Sequence, residues 1–307
     1  MPDTPHLRIA LVGLGDIAEK AYLPLMTSRG GVKPILCTRD EATLTRLAKQ
    51  YRVEETYTSV NDLVKHRPDA AMVHAATSAH AGIVASLLEE GIPVFVDKPL
   101  CDSLVASKKL INLARRKRTP LFVGFNRRYA PLIHSLLGKD AAIQLNWHKN
   151  RVDMAGEPRS FVYDDFIHVV DSLRVLGRGP VEELRVHTRM RGDLLASVQV
   201  RWRQGECLVT GGMNRVSGRT EERVEYYTAG HKWEIVELHE GYHYHKDRTE
   251  HLGFGNWTPT LEKRGFVAMI DHWLRVVRGQ PPPANYLDGV LESHRICEEV
   301  LGALDDG

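Results

Sequence analysis

Near its N-terminus the chain runs Leu7-Arg8-Ile9-Ala10-Leu11-Val12, a short apolar stretch, directly into Gly13-Leu14-Gly15-Asp16-Ile17-Ala18 and then a helix-compatible segment. No other stretch restricts the fold as much. In a G-x-G-x-x-A turn the first glycine makes the tight bend and the second lets backbone approach a pyrophosphate. The small third residue permits close helix–strand packing, and the helix N-terminus receives the negative charge. A position after the first strand and before a helix is the context such a motif needs. Gly13, Gly15, Asp16, Ile17 and Ala18 are therefore candidate dinucleotide contacts.

Downstream of the motif, strand-like segments (32–38, 70–75, 93–96, 121–125) alternate with helical ones (41–50, 79–90, 104–116). That alternation calls for an α/β, doubly wound parallel sheet, with ligands bound at the carboxyl ends of its strands. The second strand ends in Cys37-Thr38-Arg39-Asp40. A ribose 2′-hydroxyl usually meets an acid at this point and a 2′-phosphate an arginine. Thr38 and Arg39 stand there, with Asp40 one residue later, which favours NADP over NAD; the plainer alternative has Arg39 stacking on the adenine or facing water. The third strand leads into Thr77-Ser78-Ala79-His80, where His80 either caps the next helix or reaches the nicotinamide ribose. The next ends in Asp97-Lys98-Pro99. A lysine at the mouth of a parallel sheet is placed to hydrogen-bond or protonate a substrate oxygen, although an isolated one is more often a salt-bridge partner. Thr77, His80, Asp97 and Lys98 join the cofactor candidates.

Residues 162–177 are the second focus. Wound at about 100° per residue, they put Asp164, His168 and Asp171 on one side at i, i+4 and i+7. Phe166, Val169, Val170, Leu173 and Leu176 point the other way as a buried stripe, and Gly177 is expected to close the helix. A polar face made only of short carboxylates and an imidazole has the composition of a proton-transfer site. The competing reading is a solvated face that carries a histidine.

Beyond this helix, strand-like segments at 182–190, 195–202, 206–213, 223–228 and 232–237, with an earlier one at 141–148, imply antiparallel connections. Helical patterns over 262–278 and 285–304 end the chain. The expected division is a dinucleotide-binding domain over 1–124 and a substrate and oligomerisation domain, α+β with an open sheet, over 125–307, its last helices free to pack back on the first. The histidine-dense stretch 239–251 reads as an exposed loop which, with Trp257, borders the pocket as a lid. Its spacing matches no metal-dependent enzyme, so no metal site is expected.

A chain of 307 residues suits two domains. The net charge of +2, with both signs interspersed, gives no field for nucleic acid or a membrane surface. Arg115-Arg116-Lys117-Arg118 lies at a helix C-terminus, where cations are favoured. Four scattered cysteines without paired spacing argue for a reducing compartment, and with no targeting or membrane-spanning segment legible, a cytoplasmic protein is expected.

Taken together, Gly13-Leu-Gly-Asp-Ile-Ala18, Asp97-Lys98-Pro99, Gly124-Phe-Asn-Arg-Arg-Tyr129 and Asp164-x-x-x-His168 resemble the Gfo/Idh/MocA oxidoreductases, and most closely their MviM-type branch. The resemblance implies an N-terminal Rossmann domain and a C-terminal open, mainly antiparallel sheet whose exposed face often forms a homo-oligomer interface. It implies NAD or NADP as cofactor and a sugar- or polyol-like substrate. By the match, Lys98 corresponds to the family's catalytic lysine, and Asp164 and His168 to its acid–base pair. Asp97 stands where glutamate is common, and Phe166 where glycine is common; the ring either turns into the core or narrows the pocket. Two other classes remain beside the enzyme: a non-catalytic sensor of NAD(P) or sugar on the same scaffold, and a nucleic-acid binder using Arg115–Arg118 with Arg127 and Arg128. The near-neutral balance counts against the second.

Overall fold

The computed structural model describes residues 6–304. The chain divides into two compact units: residues up to Gly124 with Ile270–Leu291, and Phe125–Met269 with the chain from Glu292 onward.

The first unit is built on a six-stranded parallel sheet, ordered β3-β2-β1-β4-β5-β6. Its strands are β1 (Leu7–Val12), β2 (Val32–Cys37), β3 (Thr56–Tyr57), β4 (Ala70–Val73), β5 (Val94–Asp97) and β6 (Leu121–Gly124). Between them run α1 (Leu23–Thr27, preceded by a π-helical turn over Ala18–Tyr22), α2 (Glu41–Tyr51), α3 (Val60–Lys65), α4 (Thr77–Glu89) and α5 (Leu104–Lys117). β1, β4, β5 and β6 are almost wholly buried, which is why they read as continuous apolar runs. The strand order reverses between β1 and β4, the crevice where doubly wound sheets take their ligands. Residues 270–291, which the sequence pattern assigns to the second domain, belong here. Trp273 lies 5.9 Å from the ring of Phe122, Tyr286 stacks on that ring at 5.2 Å, and the Tyr286 hydroxyl bonds both the amide and the carbonyl of Val123.

The second unit carries an eight-stranded sheet ordered β14-β13-β12-β11-β7-β10-β9-β8. Its strands are β7 (Gln144–Asn150), β8 (Glu182–Arg191), β9 (Leu194–Gln204), β10 (Cys207–Asn214), β11 (Glu221–Thr228), β12 (His231–Val236), β13 (Glu240–His245) and β14 (Arg248–Leu252). Every pairing is antiparallel except β7 with β10. The stretch expected as a loop, 239–251, is largely the hairpin β13–β14 at the sheet's edge; its alternating aromatic and histidine side chains suit a pleated surface. Trp257, just beyond it, is almost fully exposed. Two short helices, α6 (Pro131–His134) and α7 (Pro158–Ser160), precede a π-helical turn over Phe161–Phe166 and α8 (Ile167–Gly177). α8 packs on β7 and β10. A Cβ at Gly211 of β10 would lie 2.6 Å from Leu173, so a glycine there is what lets the helix approach the sheet.

Two helix ends differ from expectation. α8 is finished by Arg178, at positive φ (+58°), and by the Gln204 amide, which donates to the carbonyls of Arg174 and Gly179. The last helical patterns resolve into α9 (Thr260–Lys263), α10 (Phe266–Val277) and α11 (Tyr286–Gly302). Gly265, at φ +81°, separates α9 from α10, and a Cβ there would sit 2.3 Å from Ala130 N and Asn126 O.

Candidate active site

In the first unit a cavity of about 600 Å³ opens at the switch point of the sheet. Gly13, Gly15, Thr38 and Arg39, four of the residues that the sequence marks as cofactor candidates, line it. The two glycines do different work. Gly13 sits at φ +85°, and a Cβ on it would lie 2.5 Å from the backbone of Ala75, so it lets the first loop lie against the third. Gly15 has nothing within 4 Å of its Cβ position. That open backbone above a helix start is the cradle a pyrophosphate needs, and the residues present fit a dinucleotide. Ala18 is fully buried, as the small third residue of the motif should be.

Asp40 is turned away from such a ligand. Its carboxylate caps α2 by accepting the Thr43 amide at 2.6 Å, and this bond holds it below its ordinary range. The cavity wall also includes Thr58, Ser59, Val60 and Asn61, which the sequence pattern alone does not single out. Ser59 as the N-cap of α3 is the available signal: its hydroxyl accepts the Asn61 amide at 3.2 Å. Asp16, exposed and paired with Lys20, is outside this wall, as are Ile17, Thr77, His80, Asp97 and Lys98.

Below the mouth of the sheet lies a compact polar group. Lys98 follows β5 directly and is half-buried. Asp97 accepts the Tyr22 hydroxyl at 2.6 Å, and burial raises its carboxyl above the usual range. His80 is 1% exposed, and its two ring nitrogens lie 2.9 Å from the carbonyls of Pro99 and Ala75. The ring therefore ties the Lys98–Pro99 turn to the loop that enters α4. His74, also in the cavity wall, is 4% exposed and stacks on Tyr22 at 4.0 Å. Among the described residues neither of its ring nitrogens has a hydrogen-bond partner, and burial lowers it to about 3, so it stays neutral.

In the second unit Asp164 lies in the π-helical turn and is exposed, while His168, in the first turn of α8, is 8% exposed. The single α-helical face expected over 164–171 is broken by this turn. Asp171 is not part of it: it is 1% exposed, accepts both Arg128 nitrogens and the Ser293 hydroxyl, and faces Arg174. Phe166 turns fully into the core. Asp165 faces the sheet, where it meets Lys149, Arg215 and Arg151. Arg127 and Glu222 form a two-bonded ion pair at 2.6 and 2.9 Å, and Trp147 Nε1 donates to the same carboxylate. Burial and the neighbouring Arg127 bring Lys149 down to about 7; Arg127 and Lys149 hold Glu222 down at about 2 against burial. Arg127 and Arg128 are thus interior ion-pair partners rather than a surface for nucleic acid.

Among the described residues no group of three or more His, Cys, Asp or Glu is placed to hold a metal ion. All four cysteines are free and buried, and no described helix is long and apolar enough to cross a membrane.

A Rossmann-type sheet with a cavity at its switch point, followed by a mainly antiparallel sheet, defines the class: a nucleotide-dependent oxidoreductase scaffold. Residues 7–125 match the family model described as oxidoreductase family, NAD-binding Rossmann fold, and residues 133–246 match YceM-like, C-terminal domain. A Salmonella typhimurium protein named Putative oxidoreductase YceM is 32% identical, over 95% of this chain and 96% of its own. The crystal structure of a Gfo/Idh/MocA family oxidoreductase from Vibrio cholerae superposes with a TM-score of 0.92 at 36% identity, covering 97% of this chain and 99% of that one. Myo-inositol dehydrogenase Hyg17 of Streptomyces leeuwenhoekii is 32% identical over 45% of this chain and 42% of its own. The chain belongs to the Gfo/Idh/MocA oxidoreductase family.

Proposed function

We propose that this protein is an NAD(P)-dependent oxidoreductase, with NADP preferred over NAD, acting on a secondary alcohol or its ketone in a sugar- or polyol-like substrate. What supports the reading is the occurrence of Lys98 directly after β5, and of Asp164 and His168 four residues apart, on a chain of this family. The inositol dehydrogenase among its relatives supports a polyol-like substrate. For the cofactor, Arg39 borders the cavity while Asp40 is engaged as a helix cap, which favours a 2′-phosphate over a free 2′-hydroxyl.

The nicotinamide cofactor, when bound, supplies hydride transfer. Gly13, Gly15, Thr38 and Arg39 would hold it. In the oxidation direction His168 takes the proton from the substrate hydroxyl, and the Lys98 ammonium hydrogen-bonds the same oxygen as it becomes a carbonyl. Asp164 orients His168 or a second hydroxyl. His80, with its ring turned to Pro99 and Ala75, serves by positioning Lys98. A sensor would need no such proton donor. The protein works in the cytoplasm, as its unpaired thiols suit, and as a homo-oligomer through the open face of the eight-stranded sheet.

The test is NADPH and NADH titration by fluorescence, followed by a polyol and keto-sugar screen with His168→Ala and Lys98→Ala. Each variant should lower kcat by about 10²–10⁴. Near-normal kcat in both would refute the assignment, and NADPH binding without turnover would favour the sensor.

A further inference from the structure

Three cations in the second unit converge on one carboxylate. β7 and β10 are parallel neighbours, so the chain leaves both at the same edge. Lys149 in β7, Arg151 just after it and Arg215 just after β10 all reach Asp165 in the π-helical turn. Lys149 contacts Oδ1; Arg215 Nη2 is 3.0 Å and Arg151 Nε 3.5 Å from Oδ2. The next carboxylate inward, Glu222, is already held by both bonds from Arg127. Four cations therefore face two carboxylates. Discharging Lys149 would still leave three against two.

The excess charge is accessible at one point. Lys149 is sealed at 1% exposure, and Arg215, at 12%, has its guanidinium carbon over the Phe161 ring, 4.5 Å from the centroid. Arg151 is 29% exposed, and it leans on Asp165 through Nε only. Among the described residues its two terminal nitrogens make no hydrogen bond. An arginine anchored at one edge presents the rest of its planar fork to a pair of anionic oxygens. Arg215 adds positive potential behind it, and the residue before Asp165 is the exposed Asp164.

Resting on the function proposed above, we infer that the substrate carries an anionic group, a carboxylate or a phosphate, received by Arg151 with Arg215 behind it. The polyol part then faces Asp164 and His168. Neutral polyols are weak substrates because they leave the Arg151 fork unfilled.

The test is calorimetric titration of the full chain with D-gluconate, inorganic phosphate and neutral myo-inositol at fixed ionic strength, repeated on Arg151→Met and Arg151→Lys. The wild type should bind gluconate or phosphate at least tenfold more tightly than myo-inositol. Arg151→Met should erase that preference, and Arg151→Lys should keep part of it. The gluconate and phosphate arms decide between the two anions. No anion preference in the wild type, or one that survives Arg151→Met, overturns the inference. Good turnover of neutral polyols, unchanged in the Arg151 variants, would overturn the inference and leave the proposed function standing. Anion binding lost in Arg151→Met, without turnover of any alcohol, would remove that function and leave the anion site.

Discussion

In the first unit His80, Asp40 and Gly13 lean on backbone beside the cavity, with Asp97 held by the Tyr22 hydroxyl as the side-chain exception, whereas in the second unit buried side chains hold side chains. His80 lies between two carbonyls, Asp40 receives an amide, and Gly13 rests against the backbone of Ala75. Beyond them the first unit's core is apolar and aromatic, with Tyr22, His74, Phe95, Phe122 and Trp273 in mutual ring contact. The second unit instead joins helix to sheet with buried ion pairs: Lys149–Asp165 between β7 and the π-helical turn, and Arg127–Glu222 ahead of α6 and on β11. A parallel sheet sets its strand-end loops through its own register. A helix laid across an antiparallel sheet has no such backbone link, and charge pairs specify where it sits.

If that contrast is right, the largest single loss lies in the second unit. Glu222→Ala strips Arg127, 7% exposed, of both its bonds and leaves Trp147 without its acceptor. Breaking a buried pair from one side typically costs about 3–5 kcal/mol. Urea unfolding at about pH 7.5, followed by tryptophan fluorescence, should show a loss of that size. A loss below about 1 kcal/mol would mean that the pair adds little, and the contrast would fail.

Acid acts on both units in the same direction but in different pH windows. His74 is neutral in the fold, with its value lowered from 6.5 to about 3. Below pH 6.5 the unfolded chain therefore binds a proton that the folded chain refuses, and stability falls as pH falls from 6.5 to 3. At pH 5 this amounts to about 2 kcal/mol. Glu222, lowered from 4.5 to about 2, stabilises above 4.5, and that contribution is lost only as pH drops through the window from 4.5 to 2. His74→Phe keeps a ring against Tyr22 and Phe95, so it should flatten the stability–pH curve between 6.5 and 4.5. The acid limb below 4.5 should remain. An unchanged slope at about pH 5–6.5 would show that His74 is not the group responsible.

The same contrast explains what is legible in the sequence. The parallel sheet declares itself because most of its strands are short, largely apolar runs and the turn after β1 carries local chemistry, so β1, β2 and the glycine motif are predictable nearly to the residue, whereas the two-residue β3 is not. The helical pattern over 262–278 runs straight through Gly265, because nothing local reveals the backbone of 126–130 pressing against it. Asp171 has the right spacing for a polar face, but its role is set by Arg128 and Ser293, 43 and 122 residues away in the chain. Asp165 and Lys149 escape notice for the same reason. Periodicity reports which way a side chain points, not which distant partner awaits it. The hairpin at 239–251 is hidden by its charged and histidine residues, which suggest a loop although the edge of a sheet tolerates them.

The smallest effect on stability tests the backbone half of the contrast within a single motif. Gly13→Ala must place a methyl 2.5 Å from Ala75 backbone at φ +85°, and it should destabilise the first unit by about 1–3 kcal/mol. Gly15→Ala meets nothing within 4 Å, and its stability should stay within about 0.5 kcal/mol of wild type. The space it fills is nonetheless the space proposed for the pyrophosphate, so NADPH affinity should fall about tenfold while thermal unfolding hardly moves. Two glycines two residues apart would then separate structure from binding. A Gly15→Ala protein that binds NADPH as tightly as wild type would show that the cofactor does not cross the open backbone, and the cavity would need another ligand.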